Sequence, residues 1–243
     1  PGPATPRPLS AEEQAAARRS LAALAAMPRQ EKGTRPSCAL PYELSVQGAL
    51  AADGKSFAVE FAAGEARFGD RSAGAPFHVY APGRCASVDP AVSEECRTWA
   101  YAVKAGDRIR DEWPLALFPE GNYHLRIHGP NGFYREFRGS SADPAITLTL
   151  DDPTDGVPAL VVTSRIPDKP VTLEIAGLSY GAPAVNIQLS SSPLRLPLHV
   201  EKSHGWYDVH VTATGFPAYS QQLGGRLEHG RESRTDPLMG GEL

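Results

Sequence analysis

One short motif of the chain has the pattern of a hydrolase nucleophile. Gly177-Leu178-Ser179-Tyr180-Gly181 matches G-x-S-x-G and directly follows a strand-like run, as a nucleophile elbow does. An elbow also needs a helix immediately after the serine, because the helix holds the strained turn. Here Ala182-Pro183-Ala184 leads into another strand-like segment. The pattern therefore favours an ordinary turn, and we predict no catalytic residue in this chain.

Two polar segments have residue types that bind ions. His124 and His128 flank Arg126 on one face of a predicted strand. Histidines four residues apart on a strand lie about 13 Å apart, too far to share one metal. The acidic segment 151–156 (DDPTDG) offers three carboxylates without EF-hand spacing, whereas calcium takes about six to eight oxygen ligands. We interpret both segments as solvated and predict no metal and no cofactor.

The chain contains three cysteines, at positions 38, 85 and 96. Cys85 and Cys96 lie in what the sequence indicates is one long loop between strands. A bridge there would reduce the entropy of the unfolded chain and would suit an oxidising compartment. We predict a disulfide between Cys85 and Cys96. Spacing alone does not establish a bridge, so the alternative that all three are free thiols stays open.

Three aromatic residues are candidates for contact with a surface. Trp206 points outward by strand alternation, and Phe133 and Tyr134 follow the turn Pro130-Asn131-Gly132. Exposed aromatic side chains anchor proteins to membrane interfaces, sugars or partner proteins. We predict that Phe133, Tyr134 and Trp206 contact a lipid or a partner. The alternative for Trp206 is packing against the neighbouring domain.

The composition limits the class of protein. With 243 residues the chain has room for two domains of roughly 100 residues each. Its 23 glycines and 23 prolines favour short strands and turns over long helices. The net charge of -4 and the lack of a basic stripe argue against nucleic acid. No apolar run approaches the ~20 residues of a membrane span, and the start PGP suggests a fragment of a longer protein.

A short alternating run occurs twice, as GNYHLRI at residues 121–127 and as GWYDVHV at residues 205–211. In each copy the tyrosine and every second residue after it are apolar, so one face of the strand is core. Further landmarks repeat in the same order, which indicates a duplicated β domain. Tyr123 and Tyr207 have the placement of tyrosine corners, in which the hydroxyl bonds to upstream backbone.

Residues 10–27 have a capping-box start, Ser10 to Glu13, and end before Pro28, which predicts a helix. An extended linker follows to Pro41. We predict an all-β fold of two tandem immunoglobulin-like antiparallel β-sandwiches after this helix and linker. The domains are 1–40, 41–142 and 143–243. Seven strands per sandwich are predicted, near residues 42–49, 56–62, 76–80, 98–103, 107–113, 121–128 and 132–138, and near 145–150, 158–164, 170–175, 184–189, 194–199, 205–212 and 218–227.

Four segments carry a resemblance to a known family. They are residues 28–36 (PRQEKGTRP), 39–44 (ALPYEL), 129–135 (GPNGFYR) and 233–241 (SRTDPLMGG). Together and in this order they resemble the C-terminal tandem-repeat region of bacterial phosphocholine-specific phospholipases C. The resemblance covers nearly all of the chain from about residue 28.

The resemblance implies a secreted multidomain enzyme, exported through the periplasm. Its N-terminal catalytic domain, similar to the alkaline and acid phosphatase superfamily, hydrolyses phosphatidylcholine, in some members also sphingomyelin, to phosphocholine and a lipid. The catalytic and metal-binding motifs of the family do not occur in this chain, so we expect a non-catalytic C-terminal region. The expected partners are the catalytic domain of the same chain and a lipid surface. The alternative is a protein-interaction or secretion module that binds a chaperone and touches no lipid.

Overall fold

The structure is a computed structural model that describes residues 9–23, 31–86, 92–153, 156–165, 170–190 and 192–241. Helix α1 (Ala11–Ala23) starts with the predicted capping box. The hydroxyl of Ser10 accepts the backbone N–H of Glu13 at 3.2 Å, and the Glu13 carboxylate accepts the backbone N–H of Ser10 at 2.8 Å. The predicted end of the helix at Met27 lies outside the described residues.

All seven strands predicted for the first half are present. A short strand precedes them in the linker, and three 3-10 turns interrupt the connections. The strands are β1 (Pro36–Ser37), β2 (Leu44–Leu50), β3 (Ser56–Ala63), β4 (Ala75–Ala86), β5 (Ser93–Val103), β6 (Arg108–Pro114), β7 (Tyr123–His128) and β8 (Tyr134–Gly139), and the turns are Gly69–Arg71, Leu115–Leu117 and Pro119–Gly121. Strands β4 and β5 are longer than predicted and pair as far as Ala86 and Ser93. The predicted cysteine loop is therefore largely a β-ribbon.

The second half repeats this pattern with seven further strands, as predicted. They are β9 (Ile146–Asp151), β10 (Ala159–Ser164), β11 (Val171–Gly177), β12 (Val185–Leu189), β13 (Leu194–Pro197), β14 (Trp206–Ala213) and β15 (Ser220–Arg226). A last short strand, β16 (Ser233–Arg234), pairs with β1. The backbone N–H of Gly33 also bonds to the carbonyl of Gly240 at 2.9 Å. The closing segment of the chain thus runs beside the linker that precedes the first half.

Both halves arrange their strands in the same order. The first, second and fifth strands form a three-stranded sheet, β2-β3-β6 in one half and β13-β10-β9 in the other. The remaining four strands of each half join edge to edge into one eight-stranded sheet, β12-β11-β14-β15-β8-β7-β4-β5. The fold is therefore all-β and antiparallel, as predicted. The immunoglobulin class and the two domain boundaries stay predictions.

The two halves meet where β8 pairs with β15, and we call this pairing the seam. It runs from Tyr134 opposite Gly224 to Arg138 opposite Ser220. Each three-stranded sheet covers one half of the eight-stranded sheet and encloses a separate apolar core. In the first core the rings of Phe57 and Tyr123 stack with centroids 4.1 Å apart. The opposite, outer face of the eight-stranded sheet carries polar side chains.

Neither repeated tyrosine makes the predicted bond to upstream backbone. The hydroxyl of Tyr123 donates to the carboxylate of Asp143, which lies downstream in the connection between the halves. The hydroxyl of Tyr207 instead accepts a hydrogen bond from Arg135 of the other half. Both tyrosines are buried, so their hydroxyls need partners, and charged side chains at the junction provide them. The tyrosine-corner prediction is wrong in its partners.

Candidate functional site at the seam

The inner side of the seam holds a buried arginine. Arg135 lies on β8 between Phe133 and Phe137 in strand alternation, and only 3% of its surface is exposed. Its Nη1 donates to the carbonyls of Tyr134 at 2.7 Å and Gly224 at 3.0 Å, and its Nη2 donates to the Tyr207 hydroxyl at 3.1 Å. The guanidinium carbon also lies 4.2 Å from the ring centroid of Phe133. One side chain of the first half is thereby bound to strands β14 and β15 of the second half.

A second polar cluster crosses the junction near the same end of the seam. Arg67 of the first half pairs with the Asp152 carboxylate at 3.0 Å and donates to the carbonyl of Glu228 at 3.2 Å. Asn131 donates from Nδ2 to Glu228 Oε1 at 2.5 Å, and Arg226 Nη1 lies 3.4 Å from the same oxygen. Burial raises the pKa of both carboxylates, Asp152 and Glu228, against the opposing effect of their arginines.

These side chains line a cavity of about 370 Å³ between the two three-stranded sheets. Its floor is the inner side of the seam, with Arg135, Tyr207 and Leu223. One wall comes from β2 and the opposite wall from β9. Cavities of a few hundred cubic ångströms at a junction between domains commonly bind small ligands. The cavity is therefore the first candidate binding site.

The outer face of the eight-stranded sheet carries an ordered charged network around Glu136. Its Oε1 lies 2.5 Å from His124 Nε2 and 3.0 Å from Arg126 Nε, and it accepts Arg138 Nη2 at 2.9 Å. Its Oε2 accepts the Tyr134 hydroxyl at 3.0 Å. Burial acts to raise the pKa of Glu136, but these four donors prevail and lower it to about 2. The carboxylate is therefore ionised and fixed in position.

The histidines of this face remain separate, as their spacing indicates. Burial lowers the pKa of His124 and of His128, and the neighbouring arginines act in the same direction. His124 contacts Glu136, whereas His128 lies against the rings of Tyr80 and Tyr134. Across the parts of the chain that the structure describes, no three His, Cys, Asp or Glu side chains are grouped to hold a metal.

The cysteines do not form the predicted bridge in this structure, where all three are free thiols. Cys85 belongs to β4 and is 2% exposed in the first core, whereas Cys96 is exposed. The residue paired opposite Cys85 is Glu94, and Cys96 has a left-handed backbone with φ 53°. The β-ribbon thus directs one thiol inward and leaves the other in solvent.

The three predicted contact aromatics have different environments. Phe133 is 7% exposed, so its ring belongs to the core and not to an accessible surface. Tyr134 is partly exposed on the outer face and bonds to Glu136. The indole ring of Trp206 packs against Gly132 of the first half. The approach is so close that a Cβ added at Gly132 would lie 2.8 Å from Cζ3 of the ring. The indole N–H donates to the carbonyl of Arg234 at 3.2 Å. For Trp206 the structure matches the alternative of packing on the other half.

The remaining sequence candidates have structural partners. The Ser179 hydroxyl donates to Asp208 at 2.5 Å, and the segment after it leads to β12 rather than to a helix. The hydrolase-elbow context is therefore missing. In the acidic segment Asp151 pairs with Arg195 and Asp152 with Arg67, whereas Asp155 lies outside the described residues.

Sequence reasoning missed Arg135, Glu136, Arg67 and Glu228. For Arg135 a signal was available, because alternation places it on the same face as Phe133 and Phe137. A charged residue at an inward position needs a buried partner and so marks a site. The other three depend on contacts between residues far apart in sequence, such as Arg67 with Glu228, for which a single sequence carries no signal.

The chain combines an all-β fold, a duplicated strand order and a charged outer face, and comparison with known proteins shows which family it resembles. Residues 36–140 match the family model described as bacterial phospholipase C, C-terminal domain. Residues 36–140 therefore belong to that family. The resemblance inferred from the four segments is confirmed, and the chain corresponds to the C-terminal region of bacterial phospholipases C.

Individual relatives agree with the family match. Over 225 residues, 88% of this chain, the sequence is 32% identical to a non-hemolytic phospholipase C of Burkholderia pseudomallei. Over 236 residues, 90% of this chain, it is 30% identical to a non-hemolytic phospholipase C of Pseudomonas aeruginosa. It is also 29% identical over 233 residues to a hemolytic phospholipase C of that organism. The chain spans 29% to 30% of the length of these relatives. No helix in the described ranges has the length and apolar character of a membrane span.

Proposed function

We propose that the chain is the non-catalytic C-terminal region of a secreted phospholipase C that releases phosphocholine from phosphatidylcholine and, as a second substrate, sphingomyelin. The relatives are phospholipases C about three times as long as the chain, which leaves room in such a protein for a separate catalytic domain. The chain itself offers no catalytic motif of that family. Its role is to pack on the catalytic domain and to support its engagement with substrate at a lipid surface.

The observation that carries the proposal is the outer face of the eight-stranded sheet. Among the described residues the two three-stranded sheets pack on the inner face, and no described strand lies on the outer face of either half. Its polar side chains are already ordered around Glu136, whose side chain is 10% exposed. A surface that is fixed before binding loses little conformational entropy when a partner docks. This face is the proposed contact with the catalytic domain.

The linker also leads toward this face. Residues 34 and 35 run beside the closing segment, where Arg234 and Thr235 contact them. The carbonyl of Arg234 accepts the indole N–H of Trp206, which points to the outer face on β14. The linker at residues 34 and 35 therefore lies near Trp206.

Negative charge added to the outer face of the full-length protein tests the docking face. His78 and His128 lie opposite each other on β4 and β7, are exposed, and lie outside the hydrogen bonds of Glu136. We expect His78→Glu with His128→Glu to lower the thermal midpoint of the catalytic domain and the hydrolysis of phosphatidylcholine vesicles. The matched control is Thr147→Glu with Thr163→Glu, an uncharged pair that lies directly opposite on β9 and β10 of a three-stranded sheet.

Equal behaviour of both pairs would exclude the outer face as the contact. The lipid part of the proposal is tested separately, by sedimentation of the full-length protein with phosphatidylcholine vesicles. Tyr134→Ser is the variant for this test, because Tyr134 is the partly exposed member of the predicted contact aromatics. Its ring lies beside His128, so reduced sedimentation of this variant would mean that the catalytic domain leaves this part of the outer face open to lipid. Unchanged sedimentation would exclude Tyr134 as a lipid contact, and the proposed packing on the catalytic domain would still stand. Capture of a secretion chaperone by the outer face, without vesicle binding, would support the alternative module.

A further inference from the structure

Two histidines lie directly opposite each other on the outer face of the eight-stranded sheet. His78 on β4 pairs in register with His128 on β7, and both side chains are exposed. Directly opposed residues of antiparallel strands point to the same face, with Cβ atoms about 4.5–5.5 Å apart. Burial, Arg126 and His78 all lower the pKa of His128, so the two imidazoles lie within electrostatic reach of each other. The fold thus brings together two metal-ligating side chains that are far apart in sequence.

This pair has a different geometry from the pair that sequence spacing separates. His124 and His128 lie along one strand, about 13 Å apart. His78 and His128 lie across two neighbouring strands, whose spacing is about 4.8 Å. A metal bound by imidazole nitrogens at about 2.0–2.1 Å needs those two nitrogens about 3 Å apart. Rotation of two exposed side chains about their torsions can bring the nitrogens to that distance.

The imidazole of His128 lies between two tyrosine rings. Its centroid is 5.4 Å from that of Tyr80 and 5.0 Å from that of Tyr134. The hydroxyl of Tyr134 is itself bound to Glu136 at 3.0 Å. Within the described residues the ring nitrogens of His128 make no hydrogen bond, so they remain available to a metal. Because its neighbours restrict this ring, little conformational entropy is lost when it binds.

The donor set favours transition metals that bind nitrogen. Imidazole is a good ligand for Cu²⁺, Ni²⁺ and Zn²⁺, and the affinity of a given site is highest for Cu²⁺. Ca²⁺ and Mg²⁺ require several oxygen ligands. The carboxylate of the same cluster, Glu136, already accepts hydrogen bonds from four side chains. The pair therefore selects Cu²⁺ over the alkaline-earth ions.

We propose that His78 and His128 form a metal site on the outer face, which binds Cu²⁺ most tightly and Ni²⁺ and Zn²⁺ more weakly. One nitrogen of each imidazole binds the ion, and water fills the remaining positions. The site has two protein ligands, and the described residues contain no group of three or more. The bound ion links β4 to β7 within the first half. The proposal goes beyond docking to a catalytic domain and does not depend on it, because both ligands belong to this chain.

Isothermal titration calorimetry of the chain with CuCl₂ tests the proposal. Exposed thiols also bind Cu²⁺, so all titrations use a background with Cys38→Ser and Cys96→Ser. We expect one tight site, which His78→Gln and His128→Gln each weaken at least about tenfold, because either change removes one of the two linked ligands. His210→Gln, at a histidine of β14 on the same outer face, is the matched control and should leave the affinity unchanged. Unchanged affinity in either His78→Gln or His128→Gln would overturn the proposal, as would comparable binding of Ca²⁺.

Chemical modification locates the metal without any histidine variant. Diethyl pyrocarbonate modifies accessible imidazoles, and mass spectrometry identifies the modified residues. Cu²⁺ should slow the modification of His78 and His128 several-fold and leave that of His199, which is also exposed, unchanged. Equal modification of His78 and His128 with and without Cu²⁺ would place the ion elsewhere and would overturn the proposal.

Discussion

Arg135 Nη2 in the first half donates a hydrogen bond to the hydroxyl of Tyr207 in the second half, across 3.1 Å. Tyr207 is one of the two repeated tyrosines, so a residue that duplication made equivalent to Tyr123 now serves the contact between the copies. The seam is thus a specific junction with its own buried polar contacts. It also forms the floor of the cavity and the centre of the outer face.

Removal of Arg135 should destabilise the whole chain. Arg135→Leu leaves the Gly224 carbonyl and the Tyr207 hydroxyl without their donor, so we expect a loss of about 2–4 kcal/mol in the free energy of unfolding. Urea denaturation followed by circular dichroism measures it. Arg84→Leu, at a side chain that is 70% exposed, should change the free energy by less than about 0.5 kcal/mol. Similar losses for both variants would contradict a special role for the seam.

The same contact can be isolated by a double-mutant cycle. Tyr207→Phe removes only the hydroxyl, and we expect a cost of about 1 kcal/mol. In a chain that already carries Arg135→Leu, Tyr207→Phe should reduce the free energy of unfolding markedly less than it does in wild type, because the contact is already lost. Strictly additive free energies would mean that the Arg135 to Tyr207 bond contributes nothing to stability.

Acid should weaken the chain through Glu136. Its pKa is about 2 in the folded chain, below the ordinary value of 4.5, so the unfolded chain takes up the proton first. The resulting stabilisation is present above pH 4.5 and is lost as the pH falls toward 2, by about 3 kcal/mol in total. Urea unfolding of Glu136→Gln over this range should show a shallower decline than wild type. An unchanged decline would assign acid sensitivity to other groups.

Thiol titration should separate the cysteines. Burial raises the pKa of Cys85, and its thiol lies in the core, so we expect it to react with Ellman's reagent only after unfolding. Cys38 and Cys96 are exposed and should react in the native chain. Two rapid thiols, with a third in denaturant, fit the structure. A single titratable thiol in denaturant, identified as Cys38 by mass spectrometry, would establish the Cys85 to Cys96 disulfide predicted from sequence.

The contact between the linker and the closing segment depends on a glycine. A Cβ at Gly240 would lie 2.6 Å from the carbonyl oxygen of Gly33, so Gly240→Ala should separate the two segments. Limited proteolysis should then cut the linker faster than in wild type. Gly83→Ala is the control, because a Cβ there has no neighbour within 4 Å. Equal cleavage of both variants would show that the contact does not protect the linker.

The strands could be predicted because each carries its own alternation. Leu125 and Ile127 point inward and His124 and Arg126 outward, a pattern that depends on local periodicity alone. The pairing of β8 with β15 could not be predicted. An exposed edge strand can pair with any other edge strand, and the alternation of apolar and polar residues does not specify which one. The partners of Tyr123 and Tyr207 were missed for the same reason. The predicted bridge between Cys85 and Cys96 is not formed in the structure. Strand β4 continues through Cys85, so the strand fixes the direction of the Cys85 side chain.

Hydroxyl-radical footprinting of side chains tests the docking of the outer face most directly. The full-length protein and the 243-residue chain would be oxidised in parallel and analysed by mass spectrometry. We predict that His78 and His128, exposed on the outer face of this chain, react several-fold more slowly in the full-length protein. His199, which is exposed away from that face, should react equally in both. Equal oxidation of His78 and His128 in the two proteins would contradict the proposal that this sheet packs on the catalytic domain.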